Sequence, residues 1–406
     1  MGAAAPRIES PHVADRVQAF PESVIRGMSR VAARFGAVNL GQGFPDFDPP
    51  REVMDAAKKA IDDGYNQYAV TWGAPALREA LARKLKSFNR IDAAPDENIV
   101  VTCGATEAMM ATMLATVNPG DKVVLFEPYY ENFGPDTIVA GAAPTFVPLR
   151  EPDYQPDPEA LKAAFAKRPK AVVVNTPGNP TGRIFTDATL RLLADLCEER
   201  GTLAITDEIY EHMVYDGKSH TSLATVGSMA ERTVTVGGFS KTYSVTGWRL
   251  AYTAAPKPVT DAIKRVHDFL TVGAPHPLQI AAVTALGLPA SYYTWLRETY
   301  EKKRGLLMAA LDAAGFRVHR PDSAYYILAD WTPLAGDAFP DDTAFAMWLT
   351  EHVGVACIPG SSFFADPRKG HHLVRFAYPK KEATLEEAAR RLATAREKVA
   401  TLKAVA

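Results

Sequence analysis

Residues 98–126 read NIVVTCGATEAMMATMLATVNPGDKVVLF, and this stretch decides the fold. Its ends, 98–102 (NIVVT) and 122–126 (KVVLF), are short runs that are apolar rather than alternating. Strands covered on both faces have that character. Between them, 105–117 (ATEAMMATMLATV) carries a helical pattern. The alternation continues through strand candidates 171–175 (AVVVN), 203–207 (LAITD), 233–237 (TVTVG) and 250–254 (LAYTA), with a helix expected over 187–200. Strands alternating with helices imply an α/β protein built on a mostly parallel, doubly wound sheet.

Outward from this core, residues 1–40 contain Pro6, Pro11 and Pro21 and read as an arm plus one helix, Glu22 to Phe35. Residues 41–290 form the expected large domain. After Pro256, Pro258, Pro275 and Pro277 comes a long helical pattern over 292–314, then short strands and helices, then an amphipathic helix over 382–400. Residues 291–406, joined by the 1–40 arm, are expected to form a smaller α+β domain.

The chain has 406 residues and a net charge of 45 − 47 = −2, with 47% hydrophobic and 23% charged residues. These values exclude a disordered chain, a collagen-like chain and a strongly basic nucleic-acid binder. Cys103, Cys197 and Cys357 are scattered and form no CxxC, which fits a reducing cytoplasm. The N-terminus lacks a hydrophobic signal core. No apolar run approaches the ~18 residues that would span a membrane.

Two familiar motifs fail on inspection. Gly237–Thr242 has Ser240 where a P-loop needs Gly before its Lys, and Gly41-Gln42-Gly43 has Asp46 where a dinucleotide fingerprint needs its third Gly. His371-His372 reads as a solvated loop rather than a metal site.

Six elements make sense only together. Gly104-Ala105-Thr106 follows a strand and opens a helix, where backbone N–H groups can meet an anion; a plain tight turn would look the same. Asn175–Gly182 (NTPGNPTG) ends a strand where open α/β sheets bind ligands, and its two Asn side chains exceed what a turn requires. Asp207, at the tip of LAITD, either caps the next helix or serves a ligand cation. A pair at about 4 Å in an effective dielectric near 20 is worth ~4 kcal/mol, sufficient to keep a weakly basic ring nitrogen protonated. Lys241 follows a buried-type strand and a Gly-Gly-Phe turn; desolvated there, it becomes a Schiff-base nucleophile. Arg249 borders LAYTA, and Arg375 lies inside the apolar run Leu373–Phe376. A buried Arg needs an anionic partner, and its fork matches a carboxylate.

With these residues in place, the sequence resembles the class I/II aminotransferases of the fold-type I pyridoxal-5′-phosphate enzymes. Gly238–Ala251 (GFSKTYSVTGWRLA) fits the family's lysine-site signature. Residues 39–47 (NLGQGFPDF) and Asn179-Pro180-Thr181-Gly182 resemble the subgroup of kynurenine, methionine and glutamine–phenylpyruvate aminotransferases. The likeness runs from about residue 20 to residue 395.

The resemblance implies that Lys241 holds pyridoxal 5′-phosphate covalently and then shuttles the proton, and that Asp207 pairs with its ring nitrogen. Asn179 and Tyr210 would bond the ring's phenolic oxygen, and Tyr130 would stack on the ring. Gly104, Ala105, Thr106 and Arg249 would hold the phosphate, with Tyr68 reaching it from the other subunit of a homodimer whose active sites lie at the interface. Arg375, assisted by Asn179 and the backbone near Gly43, would clamp the substrate α-carboxylate. The implied activity is ping-pong transamination between an L-amino acid and a 2-oxo acid, with no nucleic acid and no membrane involved.

Two departures stand out. Gly238 replaces a Ser that many relatives use as a phosphate ligand, a loss of about 1 kcal/mol. Ser323-Ala324-Tyr325 replaces Gly-Ser-Tyr or Gly-Thr-Tyr. Dicarboxylate-specific members carry a second Arg before the next helix; here the gap-free positions are Phe269, Leu270 and Thr271, with Lys264 and Arg265 nearby. A neutral or aromatic donor is therefore expected. The alternative chemistry is β-elimination from cysteine conjugates on the same scaffold. A regulator would need an added DNA-binding domain that about 40 residues before Gly41 do not supply. An inactive relative would have to bury Asp207, Lys241, Arg249 and Arg375 without a ligand, at high cost.

Overall fold

The computed structural model describes residues 8, 10, 12–20 and 22–405, so Pro11, Pro21 and all of the first seven positions of the expected arm, Pro6 among them, lie outside the described residues. The apolar runs of the sequence become an eight-stranded sheet. Its order is 99–102, 251–254, 233–238, 203–207, 171–175, 122–127, 143–150, 155–156. Neighbours from 143–150 to 233–238 are parallel, while 251–254 and the short 155–156 run against them. Helices cover both faces, so the central strands 171–175 and 233–238 are buried, save the half-buried Asn175 at the end of the first. The register pairs Asn175 with Asp207 and Asp207 with Val236, which brings the carboxyl ends of these strands to one edge.

Residues 317–318, 326–330, 373–377 and 358–359 form a separate antiparallel sheet. Val38–Asn39 pairs in parallel with Val355–Ala356, fastening the N-terminal segment to the C-terminal third. Met28 and Leu40 join that third's core, with Leu307, Phe345, Phe376 and Leu392. No described helix is long and apolar enough to cross a membrane.

Most elements fall within two residues of their expected places; the helix Asp187–Arg200 matches at both ends. Two differ. The expected helix over 382–400 is two helices, Glu382–Leu392 and Ala395–Val405. Thr394 sits at the break, its hydroxyl donating to the Arg391 carbonyl at 2.8 Å in the manner of a residue that competes for backbone acceptors. The strand Ala143–Arg150 was hidden by Pro144 and Pro148. Up to Leu149 it pairs on one side only. Residues four apart point their missing N–H groups the same way, so an edge strand tolerates both prolines on its open side.

Gly182 ties the two sheets together. Its carbonyl accepts the N–H groups of Asp322 and Ser323, each at 2.9 Å. Its φ is +65°, and an added Cβ would lie 2.6 Å from Pro321 Cβ and from the Tyr326 carbonyl. Gly182→Ala is expected to destabilise the protein by about 2 kcal/mol or more, from left-handed strain plus overlap. Thermal unfolding of the variant checks this; an unchanged Tm would remove the tether argued here.

Candidate active site

Where the strand ends meet, the chain encloses a cavity of about 320 Å³. Of the residues expected in the site, it is lined by Gly43, Ala105, Thr106, Tyr130 and Asn179, and by Asp207, Tyr210, Lys241, Arg249 and Arg375. Gly104 stands behind this lining. A Cβ there would come within 2.4 Å of Arg249 Nη2, so only glycine lets that guanidinium lie against the helix start. Tyr68 is not in the cavity; it is 83% exposed on this chain. Arg249 and Thr106 are exposed as well. The high burial cost expected for unliganded Arg249 therefore does not apply, whereas it does for Asp207 and Arg375.

Asp207 ends its strand buried. It accepts the Ile209 N–H at 3.2 Å, and no cationic side chain bonds it among the described residues. Burial pushes its carboxyl up to about 6, against the opposing pull of Lys241. Burial likewise brings Lys241 down to about 8; Asp207 opposes that shift, and Arg249 and Arg375 add to it. Lys241 Nζ donates to the Gly43 carbonyl at 3.1 Å, which also accepts from Tyr325 Oη at 2.8 Å. Gly43 itself is locked, because a Cβ would stand 2.2 Å from Tyr326 Oη.

Arg375 is 1% exposed, held between the rings of Tyr326 and Phe363 at 4.4 and 4.9 Å. Nη1 donates to Asn179 Oδ1 at 2.8 Å and Nη2 to the Gly41 carbonyl at 2.7 Å. The assisting backbone is thus Gly41, two residues before the expected Gly43. Nε has no partner, and no carboxylate lies within 4 Å among the described residues. Arg304, equally buried, instead has Asp216 at 2.8 Å. A buried guanidinium without an anion is costly unless a ligand brings one.

Because Asn179 Oδ1 faces Arg375, its amide N–H₂ is left to donate into the cavity. The backbone of Asn179 is fixed by Asn175 Oδ1 at 2.7 Å, and Asn175 Nδ2 in turn donates to the Asp207 carbonyl at 3.0 Å. The Tyr210 and Tyr326 hydroxyls lie 2.9 Å apart. Burial holds the Tyr210 phenol well above its ordinary range, so it stays a neutral hydrogen-bonding group.

Sequence reading missed Tyr326, whose only signal was its place opening the strand YILAD, and gave no role to Ser240, which lines the cavity. The structure also accounts for Gly238: a Cβ there would meet Ile209 Cδ1 at 3.2 Å and Ala251 Cβ at 3.3 Å, so serine does not fit without a shift of Ile209. Lys264 is engaged elsewhere, donating to the Asp96 carbonyl at 2.6 Å, and Arg265 does not line the cavity. His372 pairs with Glu151 at 2.8 Å. Glu208, Glu211 and His220 lie together, but Thr206, Ser222, Lys84 and Asn89 already donate to the carboxylates.

A buried carboxylate, a depressed amine, a helix start beside a guanidinium and a buried Arg without an anion thus share one cavity. Residues 36–392 match the family "aminotransferase class I and II", and the chain belongs to that family of pyridoxal-phosphate-dependent transaminases. It is 38% identical to the probable N-succinyldiaminopimelate aminotransferase of Mycobacterium tuberculosis over 95% of this chain and 99% of that one. It is 36% identical to the methionine aminotransferase of Escherichia coli, over 91% and 95% of the respective chains. The solved N-succinyldiaminopimelate aminotransferase of M. tuberculosis superposes with a TM-score of 0.90 at 37% identity, over 94% of this chain and all of that one. Aspartate aminotransferase of Thermus thermophilus gives 0.87 at 34%, over 95% of this chain and all of that one.

The raised carboxyl of Asp207 makes a stability prediction. A group with a folded pKa of about 6 against 3.8 favours the fold below pH 3.8, and that contribution is lost as pH rises through 6. Asp207→Asn should therefore stabilise the cofactor-free protein at pH 7 by roughly 3 kcal/mol, and far less at pH 4. Denaturant melts at the two pH values test this; equal effects would refute it.

Proposed function

We propose that this aminotransferase takes its amino group from a neutral or aromatic L-amino acid and passes it to a 2-oxo acid by a ping-pong route. The observation that carries the reading is Arg375, a buried guanidinium with no anion of its own, in the same cavity as Lys241. It offers the α-carboxylate a bidentate partner already oriented by Asn179 and Gly41. One such clamp in a cavity of about 320 Å³ suits one substrate at a time. Donor and acceptor then use the same site in turn. The uncharged character of Phe269–Thr271, with Lys264 and Arg265 outside the cavity, favours donors without a side-chain carboxylate.

Bound pyridoxal phosphate supplies an electron sink for the pair left on Cα when its proton departs. Asp207 would hold its ring nitrogen, Asn179 and Tyr210 its phenolic oxygen, Tyr130 its ring face, and Gly104, Ala105, Thr106 and Arg249 its phosphate. Lys241 would form the covalent attachment. Its amine, brought down to about 8 by burial, is uncharged often enough near neutral pH to take the Cα proton. Tyr325 continues to hold the Gly43 carbonyl when Lys241 Nζ leaves it. The relatives named above are aminotransferases rather than β-lyases.

Two chains are inferred to pair, with Tyr68 of each completing the other's phosphate site. Supporting this, Tyr68, Phe269, Leu270 and Val272 are exposed apolar side chains, Phe269 to 90%. Sedimentation is expected to give twice 44.0 kDa, and Phe269→Glu to give monomers with weakened cofactor retention. A monomeric native enzyme would contradict the pairing.

The enzyme should be yellow, and its visible absorbance should fall when single neutral amino acids are added without an acceptor. Lys241→Ala should lose turnover with every donor. Arg375→Ala should raise KM for donors about tenfold to a hundredfold with the cofactor spectrum little changed. Loss of cofactor with donor affinity intact would overturn the role given to Arg375.

A further inference from the structure

The inference that follows rests on the reading above. Under it, Arg375, Lys241, Asp207 and Arg249 already have partners in substrate or cofactor. Three charged residues of the cavity remain. Glu131 accepts from Ser23 Oγ, and Arg26 lies exposed at the mouth. Asp136 is different. It lies on the helix Phe133–Val139, 3% exposed, and shares the cavity wall with Met109, Tyr130 and Phe133.

Among the described residues, its Oδ2 is buried without a partner, no group donates to either oxygen, and no cation lies within 4 Å. Burial alone pushes the carboxyl up to about 7. Its neighbours along the helix face, Phe133 and Ala140, are apolar core residues. An aliphatic residue at 136 would pack there without a polar group to satisfy. A buried acceptor with no donor is destabilising wherever it stands; Oδ2 is sealed off, whereas Oδ1 has no partner and is not sealed in that way, so where Asp136 lines the cavity Oδ1 is the oxygen a substrate N–H can reach.

We propose that Asp136 is a specificity-determining residue, which accepts a hydrogen bond from an N–H group on the donor's side chain. The favoured donors are then neutral or aromatic amino acids whose side chains carry an imidazole, amide or ring N–H. A site built around such a bond rejects analogues that lack the group, because its own acceptor is left unpaired. The same carboxyl disfavours donors with a side-chain carboxylate.

The test compares kcat/KM of the holoenzyme for histidine, glutamine and tryptophan with that for leucine and methionine. In Asp136→Leu, the ratio of the best N–H-bearing donor to leucine should fall about tenfold to a hundredfold. The fall should come through KM, with leucine kept within about twofold and the Tm equal or higher. Asp136→Asn, which keeps an acceptor oxygen, should fall between the two; should the Leu variant not fold, a drop of about threefold in the Asn variant carries the test. An unchanged ratio, an equal loss for both donor sets, or a changed cofactor affinity overturns the assignment. If any of these is seen while native enzyme still turns over leucine, the aminotransferase reading stands. Native enzyme that converts no donor defeats that reading itself.

Discussion

Asp207 and Lys241 are two opposite charges that burial makes each reluctant to carry, and the rest of the molecule serves to keep them facing one cavity. The carboxyl is driven up to about 6 and the amine down to about 8. Neither is free to relax: Asp207 ends the strand 203–207, and Lys241 sits in the turn just past the neighbouring parallel strand 233–238. Desolvation is the dominant cause for both groups, and their mutual attraction only tempers it. The unsatisfied carboxylate and poised amine are thus products of the sheet, and they suit a cofactor with a ring nitrogen at one end and an aldehyde at the other.

The second constraint crosses between the two sheets. Arg375 belongs to the antiparallel sheet, yet its guanidinium donates to Asn179, in the loop after strand 171–175 of the parallel sheet, and to Gly41 of the N-terminal segment. Gly182 accepts two backbone N–H groups from 322 and 323. Lys380 donates to the Phe44 carbonyl at 2.9 Å, and its ammonium lies 4.3 Å from that ring's centre. Three separate segments are therefore fastened around the place where an α-carboxylate would bind.

Much of this was legible in the chain because strand ends are read from local pattern. An apolar run followed by Asp207, by Asn175–Gly182 or by Lys241 places those residues at one sheet edge without knowledge of the packing. What escaped depends on contacts between distant segments. The strand Ala143–Arg150 was masked by prolines that matter only if its outer side were covered. Tyr326 meets Tyr210 across 116 residues. The exposure of Arg249 reflects where the chain's surface ends, which no spacing rule reports. Asp136 in a seven-residue helix resembles any solvated helical carboxylate until the arm and neighbouring helices close around it.

The glycines around the cavity have an evolutionary corollary. A single methyl at Gly43 would strike Tyr326, and one at Gly104 would strike Arg249. The floor of the cavity is in that sense closed to innovation. Divergence in what such a protein accepts has to accumulate on its helical rim, between Ser23 and Arg26 and between Glu131 and Asp136, where side chains can change without moving the backbone that fixes the chemistry.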